Sequence, residues 1–484
     1  MASIKQQAVS GMIWASFGSV GGGILNLLVM FVLARLLEPS DFGVLELLVV
    51  ITSLSTVLVD SGFSQALIRD RNATDLDKST VFFVNLMISG VLYIVLFLMA
   101  PLLASFFRMP EFSLYSRVAF LCIVFDSLSV IQNVNYTKEL NFRPIAASIL
   151  FAIIIAGILA ITLSLVGAGT WALVAFIIVN SLLKSIFLWS QSDWHPTLCF
   201  SGKSLQNYWR FGSFILIQSI IDKLSMDVES LLIGRSYTKA QLGFFSQSRK
   251  INSYFGQALT SVIVKVSYPL LVKIGDSDEQ LKQGYRKIVS YTTYITAPLM
   301  AFLFCFPYDT MAALFGERWI QAGEFLRLWS CFGLIQPIQA VCNNIFLVKG
   351  KSKTMFYIFT IRNLSKIIIV FILISYSIYH MLVGIVLVTL LASIVVFYFS
   401  GKLINYKLHT IAKDIIPNIG MALASCLMIY YFSEVYEVCL ITPFVKASIL
   451  FISSILLYVM LGILTHNNNL HEIVQLAKSY LHRK

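Results

Sequence analysis

Long apolar runs broken by short polar stretches set the pattern of this chain. A helix needs about 20 predominantly apolar residues to cross a bilayer. On that ruler fourteen spans are predicted: 11–35, 41–62, 79–105, 112–136, 144–165, 169–190, 207–234, 241–270, 286–307, 320–347, 355–377, 381–401, 412–432 and 443–464. The seventh, eighth and tenth carry more polar residues than the others. The apolar stretch from Gly11 to Leu37 is too long for a signal-peptide core and is read as the first span. The longest loop with soluble character is 272–285, with Lys273, Asp276, Asp278, Glu279 and Lys282. In the tail 467–484, Leu470, Ile473, Val474, Ala477, Tyr480 and Leu481 recur at helical spacing. They predict an amphipathic helix, lying on the inner membrane face or packed on the bundle.

Composition removes the soluble alternatives. Of 484 residues, 58% are hydrophobic and 12% charged, too little polar surface to cover a soluble fold of this size. The seven cysteines show no CxxC pair and the six histidines no HxxxH pair, so neither a metal centre, a disulfide framework nor a cofactor is expected. The net charge of +12 fits Lys and Arg retained in the loops of one membrane side better than nucleic-acid binding. With the N-terminus inside, the inner segments hold the basic groups Arg69 to Lys78, Lys138 to Arg143, Lys349 to Lys353 and Lys402 to Lys413. Both termini are therefore expected on the cytoplasmic side.

A shift of 200 residues reveals an internal repeat. Phe31-Val-Leu-Ala-Arg35 falls on Leu231-Leu-Ile-Gly-Arg235, and Asp41-Phe-Gly43 falls on Gln241-Leu-Gly243. Both copies start inside and hold six spans, so the repeat is parallel, a known transporter architecture. The expected organisation is an N-terminal lobe over 1–200, a C-terminal lobe over 201–401, two further spans over 402–466 and the tail helix over 467–484. Two lobes related by an axis along the membrane normal leave a cleft between them.

Charges inside spans cost at least ~2.5 kcal/mol on insertion scales, so they face partners or water. The seventh span reads Asp222-Lys223-Leu-Ser-Met-Asp227-Val-Glu229. Lys223 and Asp227 are i and i+4 and pair on one face. Either the pair is self-neutralised and structural, or it forms a polar wall of the cavity. Asp222 and Glu229, without local partners, point to the cavity. Asp126, Arg249, Lys250, Lys265, Arg327, Arg362 and Lys366 also fall within spans. Lys265 and Arg362 are within snorkelling reach of the inner face, whereas Arg249, Lys250 and Lys366 lie deeper. Glu46, Asp60 and Lys184 sit near span ends. A cation-lined cavity suits a phosphate or pyrophosphate cargo. Gly18, Gly21, Gly22 and Gly23 in the first span permit close helix packing or a hinge. Pro269, Pro298 and Pro337 are placed to bend spans eight to ten.

The segment Leu33-Ala-Arg-Leu-Leu-Glu-Pro-Ser-Asp-Phe-Gly43, followed by Asp60-Ser-Gly-Phe-Ser-Gln-Ala-Leu-Ile68, resembles the opening of Wzx-like polysaccharide flippases. These belong to the multidrug/oligosaccharidyl-lipid/polysaccharide exporter superfamily. Lys138-Glu-Leu-Asn-Phe-Arg-Pro144, Gly169-Thr-Trp-Ala-Leu-Val174 and Leu314-Phe-Gly-Glu-Arg-Trp319 extend the resemblance along nearly the whole chain. It implies an all-α membrane protein of about 14 transmembrane helices. Two pseudo-symmetric six-helix lobes form a V around a central cavity, with two C-terminal helices added. It also implies an inner-membrane flippase that moves an undecaprenyl-pyrophosphate-linked oligosaccharide outward by alternating access, for surface polysaccharide synthesis. Arg35, Asp60, Arg143, Asp227 and Arg235 match family-typical positions.

The candidate cargo-binding cations are thus Arg249, Lys250, Lys366, Arg327, Arg35, Arg235 and Lys223. The candidates for coupling to H⁺ or Na⁺ are Asp126, Asp222, Asp227 and Glu229. A polysaccharide polymerase and glycosyltransferases are the expected partners, with membrane lipid. A multidrug/cation antiporter of the same superfamily is the alternative, although it predicts an acid-rich cavity. A membrane glycosyltransferase or polymerase would carry catalytic acids in a sizeable outer loop. Every outer loop here is short, so the chain is read as a transporter and not an enzyme.

Overall fold

The computed structural model describes residues 4–275, 277–435, 442–467, 469, 470 and 472. Most of the predicted tail helix lies outside them. The chain is helical, with no strand among the described residues, and separates into two compact units, Met1–Gly243 and Phe244–Lys484.

The first unit begins with α1 (Ile4–Leu36) and α2 (Pro39–Asp60), followed by the short α3 (Phe63–Arg69) and by α4 (Asp75–Phe107). Next come α5 (Phe112–Ala119), α6 (Leu121–Leu128) and α7 (Val130–Lys138), then α8 (Arg143–Leu165), α9 (Thr170–Ser190) and α10 (Gly202–Ser236). The single span expected over 112–136 is therefore interrupted at Phe120 and Ser129. There the amides of Ile123 and Ser129 reach back only three residues, to Phe120 O and Asp126 O, which tightens the turn locally. The Ser129 hydroxyl donates to the same Asp126 carbonyl at 3.0 Å.

α11 (Lys239–Lys273) starts in the first unit and continues into the second. The second unit goes on with α12 (Asp278–Cys305), α13 (Pro307–Phe315), a 3₁₀ turn (Glu317–Trp319), α14 (Ala322–Val348) and α15 (Ser352–Leu373). It ends with α16 (Ile378–Leu403), α17 (Leu408–Val435) and α18 (Pro443–Leu464). Pro269, Pro298 and Pro337 lie inside the uninterrupted α11, α12 and α14.

Twelve segments among the described residues are long and apolar enough to cross a membrane, the α5–α7 run counting as one. This makes the chain a multi-pass membrane protein. The other two of the fourteen expected spans are α10 and α11. Each has 35 residues, about 52 Å of helix at 1.5 Å per residue. In α10 the charges Asp222, Lys223, Asp227 and Glu229 interrupt the apolar run.

The repeat is visible in the local structure. α1 ends at Leu36 and α10 at Ser236; α2 starts at Pro39 and α11 at Lys239. The entry to α2 is closed by a capping box between Glu38 and Asp41. At α11 the Thr238 amide donates to Gln241 Oε1 at 3.2 Å, and the Gln241 amide to Thr238 Oγ1 at 3.3 Å. These are the same two positions shifted by 200, satisfying the orphan amides of a helix start in the same way.

The two helix starts also touch reciprocally. A Cβ on Gly43 would lie 1.9 Å from Lys239 O, and one on Gly243 would lie 1.9 Å from Pro39 O. Only glycine fits either position. On α1, Gly18 and Gly22 pack against α8, where an added Cβ would come within 2.7 Å of Ala146 Cβ and Ile149 Cγ2. Gly23 faces open space. Close packing is thus the role of Gly18 and Gly22.

Candidate transport site

In the first unit, α2 and α10 meet through polar side chains inside an apolar frame. The Ser230 hydroxyl donates to Glu46 Oε1 at 2.9 Å, with both residues buried. Lys223 Nζ lies 3.0 Å from Asp227 Oδ2, and Ser53 Oγ reaches the same oxygen at 3.5 Å. The i,i+4 pair expected in the seventh span therefore forms, and Asp227 is buried by it while Lys223 stays half-buried. Glu229 is fully buried on the same helix, whereas Asp222 is exposed. The four charges thus divide between a packed helix contact and an open face. Gly62 and Gly212 let the α2–α3 turn approach the α10 backbone, since a Cβ on Gly62 would lie 2.5 Å from Gly212 O.

A second polar feature of this unit is a cavity of about 390 Å³. Thr56 and Asp60 of α2, Ser64 of α3, Asp126 of α6, Asn133 of α7 and Lys184 of α9 line it. The Ser64 amide donates to Asp60 Oδ1 at 3.2 Å, and its hydroxyl donates to the same oxygen. Asp126 faces the Ser181 hydroxyl and the Lys184 ammonium. Asp126, Ser129 and Asn133 recur at i, i+3 and i+7, a stripe on one side of the broken span. Asp126 is a candidate from the sequence, whereas Asp60 and Lys184 sit near span ends and join it only in the fold. The spacing of the polar residues is the sequence signal for this stripe.

Arg35 and Arg235, the repeat-related arginines, stack on rings at helix ends. Arg35 lies 4.6 Å from the Phe31 ring centroid. Arg235 lies 5.0 Å from that of Phe106 and donates to Phe106 O at 2.5 Å. Nearby, Lys239 Nζ pairs with Glu111 Oε2 at 2.7 Å. This hydrogen bond holds the Glu111 carboxyl below the usual range.

The second unit carries the remaining cations. Arg249 stacks on Phe245 within α11 at 5.6 Å, and Lys250 follows it, both half-buried. Arg327 of α14 lies 5.4 Å from the Tyr308 ring and 6.0 Å from the Phe304 ring. Its Nε is buried without a hydrogen-bond acceptor among the described residues. The Arg362 Nη1 of α15 donates to Gln339 Oε1 of α14 at 3.3 Å. Lys366 follows one turn later and is half-buried. The side chain of Lys265 lies outside the described residues.

No group of three or more His, Cys, Asp or Glu side chains with metal-binding geometry occurs among the described residues. Cations distributed over long apolar helices, with carboxylates at helix crossings, define a membrane transporter by fold and chemistry.

Residues 32–324, more than half the chain, match the family model described as polysaccharide biosynthesis protein. The chain belongs to that family. It is 24% identical over 365 residues to the teichuronic acid biosynthesis protein TuaB of Bacillus subtilis, covering 74% of each chain. It is also 24% identical over 355 residues to the lipopolysaccharide biosynthesis protein WzxC of Escherichia coli, covering 72% of this chain and 71% of the relative. Among solved structures, the lipid II flippase MurJ in an inward closed conformation shares the fold. The TM-score is 0.76 at 15% identity, over 94% of this chain and 99% of that one. An inward-facing multidrug transporter of the MATE family shares it at a TM-score of 0.57 and 17% identity, over 81% and 94%. The all-helical fold expected from the sequence is thus shared with these two structures.

Proposed function

We propose that the chain is a flippase that moves a polyprenyl-pyrophosphate-linked oligosaccharide across a bacterial inner membrane by alternating access, for assembly of a surface polysaccharide. Membership of the polysaccharide biosynthesis family carries this reading. Relatives named for teichuronic acid and lipopolysaccharide synthesis support it, and so do the cations placed within its spans. An anionic, polymer-destined cargo explains both. Both termini lie in the cytoplasm in this reading, because the positive-inside rule places the basic loops there.

Arg249, Lys250, Arg327 and Lys366 hold the pyrophosphate through charge-assisted hydrogen bonds. Lys223 spends its charge on Asp227, and Arg35 and Arg235 orient helix ends. Asp126, Asp222, Asp227 and Glu229 are the acids available for coupling to H⁺ or Na⁺. Among them Asp126 is best placed, since it lines a cavity shared with Asp60 and Lys184. A polymerase and glycosyltransferases act on either side of the transport step as partners. The chain itself performs no covalent chemistry.

The test is a deletion strain in which the leaflet of the undecaprenyl-linked oligosaccharide is measured. Inner-leaflet accumulation, with surface polysaccharide lost and restored by the gene, is the expected result. Intact surface polysaccharide with new drug sensitivity would favour a multidrug/cation antiporter instead.

A further inference from the structure

The cavity of the first unit holds two carboxylates and one ammonium, Asp60 of α2, Asp126 of α6 and Lys184 of α9. Each is half-buried. The rest of the polar lining spends its protons locally. The Thr56 hydroxyl donates to Thr52 O at 2.8 Å, Ser127 to Val124 O at 2.7 Å and Ser129 to Asp126 O at 3.0 Å. The Ser64 hydroxyl donates to Asp60 Oδ1, and the Asn133 amide group donates to Ser129 O at 2.9 Å. Proton exchange in the cavity therefore falls to the two carboxyls and the ammonium.

The titratable groups that face Asp126 are Lys184 from α9 and Cys122, one turn earlier on α6. Asp60 lines the same cavity from α2. α4 meets α6 through the Ser89 hydroxyl, 2.9 Å from that of Ser127.

Charge decides what such a cavity takes up. Carboxylates, hydroxyls and amide oxygens are the ligands of hard cations, and two acids without an ammonium would suit Na⁺. Here a cation is already in place, fixed to α9, and one carboxylate is left uncompensated. A cavity of about 390 Å³ is about 9 Å across. At an effective dielectric constant of about 20, a second cation at that distance from the ammonium binds about twentyfold more weakly. A proton meets the same repulsion, but it forms a covalent O–H bond and needs no shell of ligands.

We infer that Lys184 is a tethered cation standing where a coupling metal ion would bind, so that the cavity exchanges protons and excludes Na⁺. One proton moves on and off the Asp60–Asp126 pair, and Lys184 compensates the carboxylate left charged. Lys184 thus sets the ion specificity. This rests on the reading of Asp126 as a coupling acid and chooses H⁺ over Na⁺ for it.

Thermal unfolding of the full-length protein in detergent is followed in NaCl and in choline chloride at equal ionic strength. The wild type is expected to unfold at the same temperature in both. Lys184→Met removes the ammonium and keeps the side-chain length. It should gain a Na⁺-dependent rise in Tm, with an apparent Na⁺ affinity at least about twentyfold above that of the wild type. Lys184→Arg keeps the charge and should stay blind to Na⁺. A wild type stabilised by Na⁺, or a folded Lys184→Met that ignores it, overturns the inference. A second measurement needs no Lys184 variant. The infrared band of the protonated Asp126 carboxyl, assigned by its loss in Asp126→Asn, is titrated with pH. The titration should coincide in NaCl and choline chloride. A shift to lower pH in Na⁺ shows direct competition and overturns the inference, as does a band that does not titrate. Neither readout involves cargo. Normal lipid distribution in the deletion strain would sink the flippase reading and leave the ion specificity. Na⁺ binding by the wild type would sink the ion specificity and leave the flippase reading.

Discussion

Lys223 and Asp227 form an ion pair in which the carboxylate is buried and the ammonium keeps 30% of its side chain accessible. Removing one partner of such a pair leaves the other desolvated. Lys223→Met should therefore lower stability by about 2 kcal/mol, below the 3–5 kcal/mol of fully buried pairs because Lys223 is partly wet. Lys223→Met with Asp227→Leu should recover most of the loss. Thermal unfolding of both variants in one detergent checks this. Glu111 offers a pH test. Its carboxyl titrates below the ordinary value because Lys239 donates to it. The pair's contribution is thus fully present above the ordinary carboxylate range and is lost as pH falls through the lowered value. Lys239→Met should return the Glu111 titration, followed by carboxyl NMR, to the ordinary range. The Lys223–Asp227 pair was legible in the sequence because i,i+4 spacing fixes a helix face. The Glu46–Ser230 bond was not, since 184 residues separate its partners and only the crossing of α2 and α10 brings them together.

At the scale of elements, the reciprocal contact of Gly43 with Lys239 and Gly243 with Pro39 joins two helix starts related by the 200-residue repeat. Each residue meets its repeat mate's neighbourhood, the arrangement a two-fold contact requires. Gly43→Ala and Gly243→Ala each place a methyl against a backbone carbonyl, which cannot rotate away. Each should cost about 1–3 kcal/mol, the range for overpacking. Gly23→Ala, facing open space, should be neutral or stabilising by up to about 1 kcal/mol through helix propensity. Denaturation midpoints of the three variants separate contact from propensity, and equal losses at all three would refute the contact argument. The repeat itself could be read from the sequence, because Arg35 and Arg235 or Gly43 and Gly243 align without gaps. That the repeated glycines would touch could not. Identity at a fixed shift says that two segments fold alike, not that they meet. The break of the fourth span was likewise hidden, since Ser129 bonding to the Asp126 carbonyl is a local choice that an apolar window averages away.

For the whole molecule, the decisive quantity is how a bilayer accommodates α10. Twelve other segments among the described residues are long and apolar enough to cross. α10 is long enough to cross but carries Asp222, Lys223, Asp227 and Glu229 within eight residues. Lys223, Asp227 and Glu229 are at least half withdrawn into the protein, but Asp222 is exposed. A carboxylate facing hydrocarbon would cost at least ~2.5 kcal/mol on insertion scales, so the open face of α10 is expected to meet water. In a variant with its native cysteines replaced, Asp222→Cys should react with a membrane-impermeant maleimide. Leu98→Cys, 69% exposed on the apolar α4, should not, because a thiol surrounded by lipid is neither ionised nor reachable. Reaction at both positions would mean that exposure alone governs labelling, and silence at both would place the Asp222 face in lipid. Reaction at Asp222 only would show that the most charged span of the chain borders an aqueous space. A transporter that passes a hydrated glycan through a membrane requires such a space.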